Sequence, residues 1–197
     1  MSKINHYFYF IFIFLIGSNV FGQASNFGFS SGIYTMIGQG KMGNGDLNNI
    51  SPQASVQYIP FGIFLGFSYK KFRLGYDYEY VYANQTTSPS EVNYTNTSGQ
   101  EQSSGIRLDY YNGQLSVGVI YKSDQNFKLT QKTGNGLSSE YKSNNSYALQ
   151  VMYHLRKRVG VILDYSQCEY NESLPDANVK SNRLSIGLVL SNFKVAK

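Results

Sequence analysis

The stretch FRLGYDYEYVY, Phe72 to Tyr82, alternates with a period of two residues. Leu74, Tyr76, Tyr78, Tyr80 and Tyr82 fall on one face, and Gly75, Asp77, Glu79 and Val81 on the other. Successive side chains of a strand point to opposite sides, so this is a β-strand with one apolar-aromatic face and one small or charged face. Which face looks inward decides the fold class. A soluble sheet would bury the tyrosines and wet the carboxylates. A barrel in a bilayer would turn the tyrosines to lipid and enclose the carboxylates.

Seven further segments read the same way: about Phe27 to Gly38, a run ending at Tyr69, Ser103 to Tyr111, Gln114 to Tyr121, Ser146 to Leu155, Val159 to about Tyr170, and Lys180 to Phe193. Before Tyr69, Ala54, Val56 and Tyr58 have the opposite parity to Phe61, Ile63, Leu65 and Phe67, which predicts a bulge at Pro60 and Gly62. Charged residues make up 15% of the chain, against about 25% in an average soluble domain. With 18 Tyr, 19 Gly and 4 Pro, and no long helical period in the mature part, the composition is that of strands and turns.

The connections carry the topology. Lys70-Lys71, Asn112-Gly113 and Arg156-Lys157-Arg158 are short, and Asn112-Gly113 predicts a type I′ hairpin. Gln39 to Pro52, Asn84 to Gln102, Lys122 to Asn145 and Asn171 to Val179 are long and rich in Ser, Thr, Asn and Gly. Short and long links alternate strictly. In an up-and-down meander this puts every tight turn at one end and every long loop at the other, as in bacterial outer-membrane barrels.

An eight-stranded barrel has a lumen just wide enough for side chains. The Leu, Ile, Val, Phe and Tyr faces of all the segments would overfill it, whereas Gly, Ser, Ala, Gln and a few long charged residues fit; Met152, Ile162 and Val189 are the exceptions. The apolar face is therefore expected outside, where only lipid makes it viable. With Trp absent, Tyr80, Tyr82, Tyr110, Tyr121, Tyr147 and Tyr170 are expected to form the interfacial girdles. The rival is a soluble β-sandwich or lipocalin-like barrel with the apolar face inward.

Lys3, the apolar run YFYFIFIFLI (Tyr7 to Ile16) and the small residues of GSNVFGQA have the layout of a secretory signal peptide, expected to occupy residues 1–22 and to leave 23–197 as the barrel domain. The run is shorter than the roughly 20 residues that span a bilayer as a helix. Cys168 is the single cysteine, so no intramolecular disulfide forms.

The chain as a whole resembles the small eight-stranded outer-membrane barrels of the OmpA transmembrane-domain and OmpX type. The resemblance is architectural, with no diagnostic motif. The last segment, RLSIGLVLSNF, is similar to the aromatic-terminated final strand of such barrels, although KVAK follows Phe193 here. It implies an eight-stranded antiparallel up-and-down transmembrane barrel in the bacterial outer membrane. Outer-membrane lipid, the barrel-assembly machinery and an external ligand of the long loops are the implied partners.

Asp77, Glu79, Arg107, Asp109, Asp164 and Arg183 all have inward parity. Buried charges need partners, so these six are expected to form an interior ionic network centred on Arg107 with Asp77 and Glu79 and extended by Arg183 and Asp164. The network reads either as a plug that locks the lumen or as the gate of a narrow pore. Catalysis has little support: His154 is the only histidine after residue 22 and has no Ser and carboxylate at triad spacing. No metal cluster and no cofactor are expected; GQGKMGNG reads as a flexible loop, not a phosphate cradle. Lys70, Lys71, Arg73, Arg156, Lys157, Arg158, Lys194 and Lys197 collect at the tight-turn end, as solvated turns or as contacts to anionic headgroups. As membrane-rim residues they do not point to nucleic acid. Asn-x-Ser/Thr triplets are chance in so Asn-rich a chain. A structural or surface-interaction role, a narrow channel, and a membrane subunit of a larger envelope assembly remain as function classes, with enzyme set aside. If the leader is cleaved as expected, N-terminal sequencing of the exported protein will begin at Gln23, or just after Ala24; a mature chain that retains Tyr7 to Ile16 rules the leader out.

Overall fold

The computed structural model describes residues 27–44, 54–87, 97–131, 138–156, 158–172 and 178–192. The expected leader and the expected terminal Phe193 lie outside them. Eight strands follow in chain order: β1 Phe27–Asn44, β2 Ala54–Tyr69, β3 Phe72–Thr87, β4 Thr97–Asn112, β5 Leu115–Gln131, β6 Ser138–His154, β7 Val159–Glu172 and β8 Asn178–Ser191. Each pairs antiparallel with its chain neighbours, and β1 pairs with β8, so the sheet closes into an up-and-down barrel with no free edge. No described residue is helical.

The faces sort as the period of two requires. Leu74, Tyr76, Leu149 and Leu188 are exposed on the outside, Leu74 at 59%, while Asp77 and Arg107 are enclosed at 1% and 0%. The apolar face is the outer one, which makes the fold that of a transmembrane barrel rather than a soluble one. In β8 the outward residues Leu184, Ile186, Leu188 and Leu190 are all exposed. At about 3.3 Å per residue they cover roughly 20 Å of strand, the order of the roughly 25 Å apolar band of such barrels. Aromatic rings edge this band at both levels. Tyr121 and Tyr147 stand 5.4 Å apart at the long-loop edge, and Phe72 and Tyr110 5.4 Å apart at the turn edge. The turn-edge girdle is not built from tyrosine alone: Phe27, Phe67 and Phe72 share it with Tyr69 and Tyr110, and Phe27 stacks on Phe67 at 5.6 Å. The side chain of Tyr170 lies outside the described residues.

The strands run further than the periodicity indicated. Most of the four long connections is strand: the links shrink to 45–53, 88–96, 132–137 and 173–177, and Gly38 to Asn44 of the glycine-rich stretch is part of β1. Above the aromatic edge the pattern inverts. Gln57, Gln100, Gln102, Asn126, Gln167 and Asn182 face out, and Val56, Tyr58, Val81, Ala83, Phe127 and Cys168 pack together inside. There the barrel stands in water and obeys the ordinary rule of polar outside, apolar inside. This explains the parity puzzle in β2: Val56, Tyr58, Pro60, Gly62 and Phe64 are all buried on one unbroken inward face. The expected bulge at Pro60 and Gly62 is absent, and the register shift lies between Ser55 and Val56. Pro60 leaves a different mark. The β1–β2 ladder passes from Thr35↔Phe61 to Gly38↔Tyr58 without the two pairs between, because Pro60 has no N–H to donate.

Two turns also differ. Asn112 pairs with Leu115, so the β4–β5 hairpin loop is Gly113-Gln114. Gly113 has φ +60° while Asn112 and Gln114 do not have positive φ, so a positive angle at the first central position replaces the expected pair of them. That is the type II′ pattern, which needs Gly first. In the β2–β3 turn Lys70 takes φ 52°, a left-handed angle uncommon for a side chain of its size.

The depth of each outward position sets its tolerance to charge. Ile186→Arg, within the apolar band, is expected to cost about 2–4 kcal/mol of stability in vesicles, whereas Gln57→Arg, outward but above the band, costs about 0–1 kcal/mol. Denaturant titration read by the mobility change on boiling measures both; equal costs at the two sites would contradict the placement of the bilayer.

Candidate functional site

The lumen is filled in layers. Alternation in β3 brings Arg73, Asp77 and Glu79 inward, and alternation in β4 brings Arg107 and Asp109 inward, with the two strands paired so that Gly75 faces Arg107 and Arg73 faces Asp109. Two neighbouring glycines make room for large rings. Gly62 lies opposite Tyr34 and Gly32 opposite Phe64, and a side chain at either glycine would collide with the ring that covers it.

The lower half of the network centres on Asp109. Its carboxylate takes the Arg73 guanidinium at 2.7 Å and Arg107 Nε at 2.9 Å. Arg107 Nη1 reaches on to Asp77 Oδ2 at 3.0 Å. Both guanidiniums also lie against the Phe64 ring, 4.3 and 4.6 Å from its centre, which offsets part of their lost hydration. The upper half centres on Glu79, whose Oε1 takes Lys122 Nζ at 2.7 Å and Arg183 Nη2 at 2.6 Å. Arg183 Nη2 is 3.5 Å from Asp164 Oδ1 and accompanies a hydrogen bond from Ser166 Oγ to the same oxygen, 2.6 Å.

Two neutral side chains join the halves. The Tyr34 hydroxyl lies 2.9 Å from Asp77 Oδ1 and 3.3 Å from Glu79 Oε2. Gln150 accepts from Arg107 Nη1 at 2.7 Å and donates to Asp164 Oδ2 at 3.0 Å. The circuit therefore closes: Arg107, Asp77, Tyr34, Glu79, Arg183, Asp164, Gln150 and back. Four cations (Arg73, Arg107, Lys122, Arg183) face four carboxylates (Asp77, Glu79, Asp109, Asp164), all buried, and a fifth buried carboxylate, Glu101, lies beyond them toward the long-loop end and accepts from Gln125 Nε2. With Phe64 from β2, every strand contributes a side chain. Met36, Met152, Ile162 and Val189 pack with Tyr34 and Phe64 beside the network, and the cluster around Tyr58 and Phe127 caps it on the long-loop side.

All six residues singled out from the sequence lie in this layer, but the pairing differs in one respect. Glu79 bonds Lys122 and Arg183, and its link to the Arg107 side runs through Tyr34 and Asp77. Arg73 is not a rim cation: it is 1% exposed and belongs to the network. Its parity matches Gly75 and Asp77, so the signal was present in the sequence and its nearness to the turn obscured it. Lys122 was hidden for another reason, because it sits where β5 was expected to have ended. Tyr34 and Gln150 carry no charge and gave no signal of their own. Cys168 is buried in the upper apolar cluster, 3.2 Å from Gln125 Nε2. Among the described residues no group of three or more His, Cys, Asp and Glu side chains is placed to hold a metal ion.

Removing one member of a buried pair leaves its partner charged and unpaired, so Arg107→Met is expected to cost about 3–5 kcal/mol. Lys122→Met should cost less, because Glu79 keeps Arg183. Urea titration of vesicle-folded protein tests the order, and equal losses would mean that the two halves do not carry charge separately.

No protein-family model and no curated protein matches the chain. Solved structures do. The chain is similar to Neisserial surface protein A, with 16% identity over 85% of this chain and 98% of that one, at a TM-score of 0.58. The attachment invasion locus protein Ail of Yersinia pestis, solved with the heparin analogue sucrose octasulfate, matches at 11% identity over 82% and 99%, TM-score 0.49. Outer membrane protein OprG of Pseudomonas aeruginosa matches at 8% over 82% and 95%, TM-score 0.43. A closed eight-stranded antiparallel meander with an apolar exterior, shared along almost the full length of Neisserial surface protein A, is the fold of the small outer-membrane β-barrels of the OmpA and OmpX type.

Proposed function

We propose that this chain is an integral protein of the bacterial outer membrane with a structural or surface-interaction role of the adhesion type. It is exported with a cleaved leader, inserted by the barrel-assembly machinery, and meets its external ligand through the connections at the long-loop end. The observation that carries this reading is the layer of paired charges across the lumen. Four cations and four carboxylates of β3, β4, β5, β7 and β8 pair with one another, and Tyr34, Phe64 and Gln150 bring in the other three strands. A lumen closed by bonded side chains makes the barrel a rigid platform, and binding then falls to the surface at its outer end.

A narrow pore is the second reading, favoured by the charged lining itself. The 3.5 Å separation of Arg183 and Asp164 is the loosest ion pair of the layer and the natural place for it to part. One experiment with two arms separates the readings. In planar bilayers the wild type and Arg107→Ala should both be silent, and single-channel steps that change on Arg107→Ala would establish the pore. In parallel, cells lacking the segments 45–53 and 88–96 should lose binding to host-cell or matrix surfaces while the protein keeps its mobility change on boiling. Unaltered binding would remove the adhesion role.

A further inference from the structure

The tight-turn end of the barrel is charged asymmetrically. Lys70 and Lys71 in the β2–β3 turn and Arg156 and Arg158 in the β6–β7 turn are all exposed, and among the described residues no carboxylate is exposed at that end. Among the described residues the acid of that end is Asp109, which is buried and already held by Arg73 and Arg107. The exposed acids Asp124 and Glu169 lie at the opposite end, where Glu169 has Lys180 at 3.6 Å.

Two of the four cations adjoin the aromatic girdle, and a third follows an exposed leucine. Lys70 follows Tyr69 and Lys71 precedes Phe72, both exposed aromatics of the turn-edge ring, and Lys70 Nζ lies 5.3 Å from the centre of the Tyr69 ring. Leu155, 54% exposed, precedes Arg156 in the same way. Rings at this level sit among lipid headgroups, and a lysine or arginine one residue beyond them places its charge at the phosphates. The turns are also held in place. Tyr111 N donates to Lys71 O at 2.9 Å, Ser191 N to Arg158 O at 2.9 Å, and Arg156 N to Val159 O at 3.1 Å. Among the described residues the side-chain partner of Lys71 Nζ is the neutral Asn112 Oδ1, 3.4 Å away. The two pairs of cations stand on opposite sides of the barrel, since β2–β3 and β6–β7 are four strands apart around the ring.

We infer that these two turns form a pair of binding sites for the phosphate groups of anionic phospholipid in the leaflet that the tight turns face. The inference rests on the membrane-barrel reading above and adds a lipid class and a leaflet to it. The sites hold the barrel at a defined depth and favour insertion with the turns on the anionic side. A solvated rim with no partner would instead show no preference among lipids.

The test is native mass spectrometry of protein folded into equimolar phosphatidylglycerol–phosphatidylcholine vesicles and then extracted in detergent. The wild type should retain phosphatidylglycerol over phosphatidylcholine. Each cation removed should lower that preference about fivefold, so that Lys70→Asn/Lys71→Gln/Arg156→Gln/Arg158→Gln retains the two lipids alike. Asn at position 70 tolerates the left-handed backbone there. Lys128→Gln/Lys142→Gln, which removes two exposed cations at the other end, should leave the preference unchanged. The mobility change on boiling confirms that each variant has folded. The inference is overturned if the wild type shows no preference, if the fourfold variant keeps it, or if both variants lose it equally. Protein that never acquires a boiling-sensitive mobility and carries no lipid of either class would instead sink the membrane-barrel reading, and this inference with it.

Discussion

Hydrocarbon offers no hydrogen-bond partner to a backbone amide, and everything in this structure follows from that. A sheet placed in it must satisfy every N–H and C=O from its own strands, which means closing β1 on β8. Closure with eight strands then leaves a lumen of about one side chain's depth. The outer face is surrendered to lipid and becomes uniformly apolar. Inside, space is short, so the inward positions alternate between Gly or Ser and a few large groups that reach across.

Several of the large groups are charged, and the low permittivity around them forbids leaving any one alone. The solution is a layer in which charges of opposite sign meet in pairs, tied by Tyr34 and Gln150 into a closed circuit. Such a layer is weak evidence for extra stability, since an apolar filling of the same volume could serve as well. What it adds is specificity of register. Asp109 lies between Arg73 and Arg107 only if β3 and β4 pair as they do, and Glu79 meets Arg183 only if β8 closes on β1 in its present alignment. A one-residue slip of any of these strands would turn its inward charges toward the bilayer.

The barrel is longer than the membrane it crosses. Above the Tyr121–Tyr147 pair the strands continue with amides outside and Tyr58, Phe127 and Cys168 inside, so one molecule contains an inverted barrel and an ordinary one stacked end to end. The aromatic ring marks the plane where the solvent changes and the side-chain rule changes with it. Below this plane lie packing and lipid; above it lie the water-facing wall and the longer connections.

Sequence alone determined the number of strands, their alternation, the end at which the tight turns lie, and which face meets lipid. All of these follow from short-range periodicity read against the width of a small barrel. It also marked the six inward charges, because parity is a local property. It could not follow the strands beyond the bilayer, since Ser- and Asn-rich segments with polar outward residues look like loops until their ladder partners are known, and Val56 and Tyr58 therefore looked like a change of parity. Nor could it say who bonds whom. Arg73 read as a rim cation and Lys122 as part of a loop, and only the closed ring, which fixes the stagger of all eight strands at once, assigned Arg73 to Asp109 and Lys122 to Glu79. Pairing across a lumen is decided by register, and register belongs to the tertiary structure.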